Sequence, residues 1–153
     1  MKLVSVVSYS PLECPPVPLD PTAFVADPEL IRALERQSSP IACDQDRVLF
    51  RQGETPLGLF ILHTGETTLS MDSDTGESIL SIQTTAGSLL GLPGLLSSKP
   101  YSLTAVARAG ARVSFIARDA FAALMESQPL LALKILQVLA AEVHSARRAL
   151  SHQ

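Results

Sequence analysis

The sequence predicts a mainly β domain flanked by helices, and three features predict it. Between about residues 40 and 117, short apolar runs alternate with turns bearing Gly, Asp and Ser at roughly regular intervals, the texture of a barrel or sandwich of short strands. Helical patterns bracket this stretch, a short one before it and a long one after it. The chain has 153 residues, enough for one domain that buries about two-thirds of its unfolded surface without metal or disulfide staples.

The elements follow in order. Residues 1–27 read as an extended arm, because five of the eleven prolines (Pro11, Pro15, Pro16, Pro18 and Pro21) fall there and forbid helix interiors and central strands. Such an arm is expected to lie on the surface, or to serve as a packing or partner-binding segment. The domain proper is expected over residues 28–127. Asp27 is placed to cap a first helix, with Pro28 at its first position and Leu30, Ile31 and Leu34 on its apolar face; Ser38-Ser39-Pro40 stops it. Strands are predicted at Arg47–Phe50, Gly58–His63, Thr67–Met71, Ser78–Gln83, Thr104–Ala107 and Arg112–Ala117, with a hairpin loop over residues 71–77. A short helix opens at Arg118-Asp119. Ser127-Gln128-Pro129 then starts a long one over residues 128–153.

That last helix carries two apolar stripes. Ala132, Leu136, Leu139, Val143, Ala146 and Leu150 are spaced 4, 3, 4, 3 and 4 residues apart, a heptad seam. Leu131, Ile135 and Val138 lie beside it. A helix apolar on two sides needs two partners: its own barrel, and a second copy of itself. A homodimer through Leu136, Leu139, Val143, Ala146 and Leu150 is the expectation, against a helix buried wholly in its own domain.

Composition excludes several function classes. Apolar residues make up 46% and charged residues 18%, which excludes a disordered chain. Net charge is −3 and the isoelectric point about 5.5, so the overall basic field of a nucleic-acid binder is missing. The basic pair Arg147-Arg148 suits the end of a helix. Mean hydropathy is +0.26, yet the uncharged stretch Ser78–Ser98 is broken by Ser, Thr, Gly and Pro93, and its purely apolar part, Leu89–Leu96, is far short of a membrane span. No membrane association is expected. The first residues are too short and broken for an export signal, and Cys14 and Cys43 show no paired spacing, so a cytoplasmic protein with free thiols is expected.

Catalytic constellations are lacking. His63, His144 and His152 form no ligand set with carboxylates, and His63 reads as a strand residue with an ordinary hydrogen bond. Cys43 beside Asp44 has no neighbouring histidine in sequence to activate it. Neither a nucleophile elbow nor a phosphate-binding P-loop occurs. No enzyme, cofactor or metal is expected.

The informative segment runs from Ala86 to Ala105: a glycine turn at Gly87, the run Leu89-Leu90-Gly91-Leu92-Pro93-Gly94-Leu95-Leu96, a polar loop, then Tyr101-Ser102 before a strand. Glycine turns that open a helix expose backbone N–H groups able to cradle an anion. With Val48-Leu49-Phe50-Arg51-Gln52-Gly53-Glu54, with Gly58–Glu66, and with the order helix, some eight strands, glycine-rich insert and long helix, this resembles the cyclic-nucleotide-binding β-roll of the CRP/FNR superfamily over about residues 28–150. The resemblance implies a jelly roll of about eight strands followed by a long C-terminal helix, and a regulatory role in signal transduction. It places a phosphate-binding cassette at Leu90, Gly91, Leu92, Pro93, Gly94, Leu95, Tyr101 and Ser102.

Three departures bear on that cassette. Members that bind cyclic nucleotides carry Gly-Glu, whose carboxylate holds the ribose; here Leu92 follows Gly91. They carry an Arg for the cyclic phosphate where Tyr101-Ser102 stands, and Pro93 removes a backbone donor. The cassette is therefore expected to be degenerate and not to recognise cAMP or cGMP. It is either re-tailored for a less charged effector or closed by its leucines. The resemblance implies a non-enzymatic sensor module. The alternatives are a structural or protein-interaction subunit with a closed pocket, or the sensor part of a DNA-binding regulator. Only three residues follow Leu150, so a helix-turn-helix output module is not expected here.

Overall fold

Helix α1 (Pro28–Glu35) begins where the sequence predicts. Asp27 is extended at φ −72° and ψ 156°, and its carboxylate accepts from the Leu30 N–H at 2.8 Å, meeting one of the first turn's free donors. In this computed structural model, residues 21–150 are described. Residues 1–20 and 151–153 lie outside the described residues, and with them most of the arm, Cys14 and His152. So do the side chains of Pro21, Ala146, Ala149 and Leu150.

Eight strands follow: β1 (Ser39–Ile41), β2 (Arg47–Phe50), β3 (Gly58–Thr64), β4 (Thr67–Asp72), β5 (Ser78–Thr84), β6 (Ser88–Leu90), β7 (Thr104–Ala107) and β8 (Arg112–Ala117). They form two antiparallel sheets, ordered β1-β8-β3-β6 and β2-β7-β4-β5. The six strands predicted from sequence are present, three of them one residue longer at the C-terminal end. The strands β1 and β6 are additional. Pro40 reads as a helix stop, but β1 is an edge strand paired only with β8, where a missing N–H is tolerated. Ser88-Leu89-Leu90 is buried throughout and so shows no alternation.

Two cores share the first sheet. Phe60 and Leu62 of β3, Leu90 of β6 and Val113 of β8 face the second sheet, meeting Phe50, Leu69, Ile82, Ala105 and Ala107 inside the roll. Leu59, Ile61, Leu89 and Ile116 face the other way, toward the helices. This two-sided burial explains why β3 is an unbroken apolar run rather than an alternating one.

Helices α2 (Leu92–Ser97), α3 (Arg118–Ser127) and α4 (Pro129–Leu150) complete the outer core. The chain turns by 118° between α3 and α4, and among the described residues no single helix is long and apolar enough to cross a membrane. Leu131, Ile135 and Val138 of α4 enter the outer core with Phe121 and Leu124 of α3, so the shorter of the two apolar stripes faces the domain.

The described end of the arm is packed, not draped over the surface. Residues Pro21–Phe24 form a 3-10 turn against α4, β5 and β6. Val25 bridges to Ser88, and the Ala26 N–H donates to the Gly87 carbonyl at 2.9 Å. The second carboxylate oxygen of Asp27 lies 2.6 Å from Lys134 Nζ on α4. The Lys134 ammonium, together with the Leu30 N–H, holds the Asp27 carboxyl below its ordinary pKa.

Candidate functional site

The cassette is built on a left-handed glycine. Gly91 sits at φ +91°, a conformation that costs glycine nothing, and reverses the chain from β6 into α2. Nothing caps α2: Gly91 has no side chain, no acidic residue lies in the first turn, and Pro93 supplies no N–H. The opposite end stops at Ser98, also left-handed at φ +58°.

A tyrosine occupies the space above these glycines. A Cβ on Gly91 would meet Tyr101 Cε1 at 2.8 Å, and one on Gly94 would meet Tyr101 Cδ1 at 3.4 Å. The Tyr101 ring stacks on Phe50, centroids 3.9 Å apart and planes at 20°. The ladder continues from Phe50 to Phe60 (5.8 Å) and from Phe60 to Phe115 (4.9 Å). Its hydroxyl donates to the Gly58 carbonyl at 3.2 Å. Its backbone is held on both sides: its N–H donates to the Glu54 carbonyl at 2.9 Å, and its carbonyl accepts from the Gly53 N–H at 2.8 Å. Burial raises the phenol's pKa, so Tyr101 is neutral.

The other cassette residues divide between the two cores. Leu90 points into the roll, whereas Leu92 and Leu95 are buried in the outer core with the helices. Pro93 and Ser102 are exposed. Lys99 is exposed as well, and Arg118 is tied to the loops that flank the cassette. Its guanidinium donates to the Pro56 carbonyl at 2.7 Å and lies 3.4 Å from Ser98 Oγ. Sequence reasoning missed Phe50 and Arg118, because their partners, Tyr101 for the first and Pro56 and Ser98 for the second, are remote in sequence. A cavity of about 260 Å³ opens beside the aromatic ladder, with Arg47 and Glu54 among its lining residues.

A second cavity, about 310 Å³, is lined by Glu35, His63, Arg112 and Ser114 among others. His63 Nε2 is 2.7 Å from Ser114 Oγ and 3.8 Å from Glu35 Oε2, while Arg112 pairs with Glu35 at 2.7 Å. One ring nitrogen faces both the hydroxyl and the carboxylate, so there is no relay from carboxylate through histidine to serine, which needs both nitrogens. Burial lowers the His63 pKa and raises that of the Cys43 thiol, the reverse of an activated nucleophile. Among the described residues no group of three or more His, Cys, Asp or Glu is placed to hold a metal ion.

Along the other side of α4, Leu130, Leu133, Leu136 and Val143 are exposed, Leu136 by 56%. Leu139 is partly buried against the outer core. The predicted seam is thus split: Leu136 and Val143 face outward, Leu139 borders the domain, and the side chains of Ala146 and Leu150 lie outside the described residues.

Residues 40–128 match the cyclic nucleotide-binding domain family. No curated protein matches significantly. Many solved structures share the fold. The catabolite activator protein of Thermus thermophilus aligns with a TM-score of 0.72 at 23% identity, over 86% of this chain and 62% of that one. A cyclic nucleotide-binding domain from Methylobacillus flagellatus gives 0.66 at 24% identity, over 82% and 73%. The sensor domain of the transcriptional regulator DNR from Pseudomonas aeruginosa gives 0.62 at 20%, over 78% and 81%. The chain spans about three-fifths of the Thermus protein's length and of a putative cAMP-binding regulatory protein from Silicibacter pomeroyi, of which it covers 59%.

Proposed function

This chain belongs to the cyclic nucleotide-binding domain family, and from that premise we propose that it is a non-enzymatic sensor domain of the CRP/FNR type whose cassette is closed to cAMP and cGMP. The observation that carries the reading is the seat of Tyr101. Its ring lies on Gly91 and Gly94, stacked on Phe50, where a nucleotide phosphate would need open backbone donors. The residue after Gly91 is turned into the outer core as Leu92, so no side chain there reaches a ribose. Loss of one charge-assisted partner removes about 1.5–3 kcal/mol of binding, and here both the carboxylate and the guanidinium are missing.

Thermal shift checks this directly. Neither cAMP nor cGMP at millimolar concentration is expected to raise the melting temperature. A rise of several degrees at micromolar cAMP would overturn the reading, since stabilisation grows with the ratio of free ligand to Kd.

The outward face of α4 supports a homodimer as the signalling unit, in the cytoplasm. Leu133, Leu136 and Val143 form an exposed apolar strip whose natural cover is the same strip of a second copy. Light scattering is expected to give twice the 16.3 kDa chain mass, and Leu136→Glu to give a folded monomer. A monomeric unmodified chain would remove the dimer from the proposal.

A further inference from the structure

The cavity beside the aromatic ladder lies apart from the cassette, of whose residues only Tyr101 lines it. It opens between the two sheets: Ile41 comes from β1 and Leu49 from β2, each the end strand of its own sheet. The β2–β7 register slips between Val48 and Phe50, a bulge that leaves Leu49 opposite no residue of β7. Bulges at sheet edges re-aim side chains and often lie beside sites. The walls are rings. Phe50, Phe60, Phe115 and Tyr101, four of the chain's seven aromatic residues, line this one space. A planar ring set among them meets the offset and edge-to-face contacts that aromatic groups prefer. At about 260 Å³ the space falls below the ~300–1,000 Å³ usual for drug-sized ligands, which suits a small metabolite and not a nucleotide.

The rim carries one charge of each sign, Arg47 and Glu54, both exposed. Arg47 Nη1 donates to the Ala42 carbonyl at 2.9 Å, and Glu54 Oε1 accepts from the Arg51 N–H at 2.9 Å. The Glu54 carbonyl accepts from the Tyr101 N–H, which ties its backbone to the ladder. Each side chain is thus held by one atom, and Arg47 Nη2 and Glu54 Oε2 have no partner among the described residues. Neither group forms an ion pair among those residues. We propose that this cavity binds a small aromatic zwitterion, an aromatic α-amino acid. Its ring enters among the four aromatic side chains, its carboxylate meets Arg47 and its ammonium meets Glu54. A neutral aromatic molecule would leave both rim charges unused, and an aryl carboxylate or amine would leave one. Because Tyr101 alone is shared, the assignment stands whether or not the cassette takes a nucleotide.

The chain contains no tryptophan, so L-tryptophan reports its own binding by fluorescence. Titrating the full chain into it is expected to shift its emission to the blue and raise its anisotropy saturably, with one site per chain. Arg47→Gln and Glu54→Gln are each expected to weaken binding about tenfold or more, the scale of one charge-assisted bond. Both variants are expected to melt as the unmodified protein does, since the two side chains are exposed. Arg47→Lys keeps the charge, is expected to retain most of the affinity, and carries the test if the glutamine variant does not fold. Tryptamine, which lacks the carboxylate, is expected to bind more weakly and to ignore Arg47→Gln. Indole-3-acetate, which lacks the ammonium, is expected to bind more weakly and to ignore Glu54→Gln. That pairing of ligand group with rim residue places the molecule in this cavity. No saturable response to millimolar tryptophan, unchanged affinity in either glutamine variant, or indole-3-acetate bound as tightly as tryptophan would each overturn the assignment. A thermal shift with cAMP would overturn the closed-cassette reading and leave this site standing.

Discussion

Leu92→Glu, which restores the Gly-Glu pair of nucleotide-binding relatives, is expected to destabilise the protein by about 3–5 kcal/mol at pH 7 without conferring affinity for cAMP. Leu92 is fully buried among Leu59, Ile61, Leu89 and Leu95, so the new carboxylate would enter an apolar core with no cation provided for it. Moving it outward instead would turn α2 and uncover Leu95. Urea unfolding measures the loss as a lower midpoint. The deficit is expected to shrink near pH 4, where the carboxyl takes a proton. A loss under about 1 kcal/mol would show that Leu92 is free to face the cassette, and the reading of the cassette as closed would fall with it.

The second large effect belongs to pH. Glu142 lies on the inward side of α4, in step with Leu131, Ile135 and Val138, and is 8% exposed. Its Oε2 has no hydrogen-bond partner among the described residues, and burial pushes its pKa up to about 8. A raised folded-state pKa means that the stability present below the unfolded value of 4.5 is lost as pH climbs toward 8. The displacement sets a ceiling of about 5 kcal/mol on that loss, and relaxation of the helix end lowers it. Glu142→Gln keeps the shape and removes the titration. It is expected to match the unmodified protein near pH 4.5 and to exceed it in melting temperature at pH 8. His63 acts in the opposite sense: burial lowers its pKa, and stability falls as pH drops below its unfolded value of 6.5. It is common to both proteins and cancels in the difference. Parallel pH profiles would show that Glu142 reaches water.

Much of the fold is legible in the sequence because its signals are local. The Asp27-Pro28 start of α1, the glycine turns and the strand β3 each announce themselves within a few residues. The direction of the cassette leucines is another matter. Leu90, Leu92 and Leu95 look alike in sequence, and only the packing of two cores against one sheet sends the first inward and the other two toward the helices. Phe24 is hidden for the same reason. It follows a proline-rich arm that reads as surface, and its burial depends on β5, β6 and α4, all remote in sequence. Pro40 lies past the end of α1 as its helix-stopping role predicts, but nothing local announces the edge strand β1, where its missing N–H is tolerated. The two stripes of α4 were legible as stripes, and the three-dimensional fold decides which one faces inward.

The Asp27–Lys134 pair joins positions 107 residues apart, and this separation bears on how the chain is made. Contacts between positions far apart in sequence close long loops and form late. During synthesis the Pro21–Asp27 segment emerges well before its partner helix α4. The strands of the roll are therefore made before the Asp27–Lys134 pair can fix the turn that leads into α1.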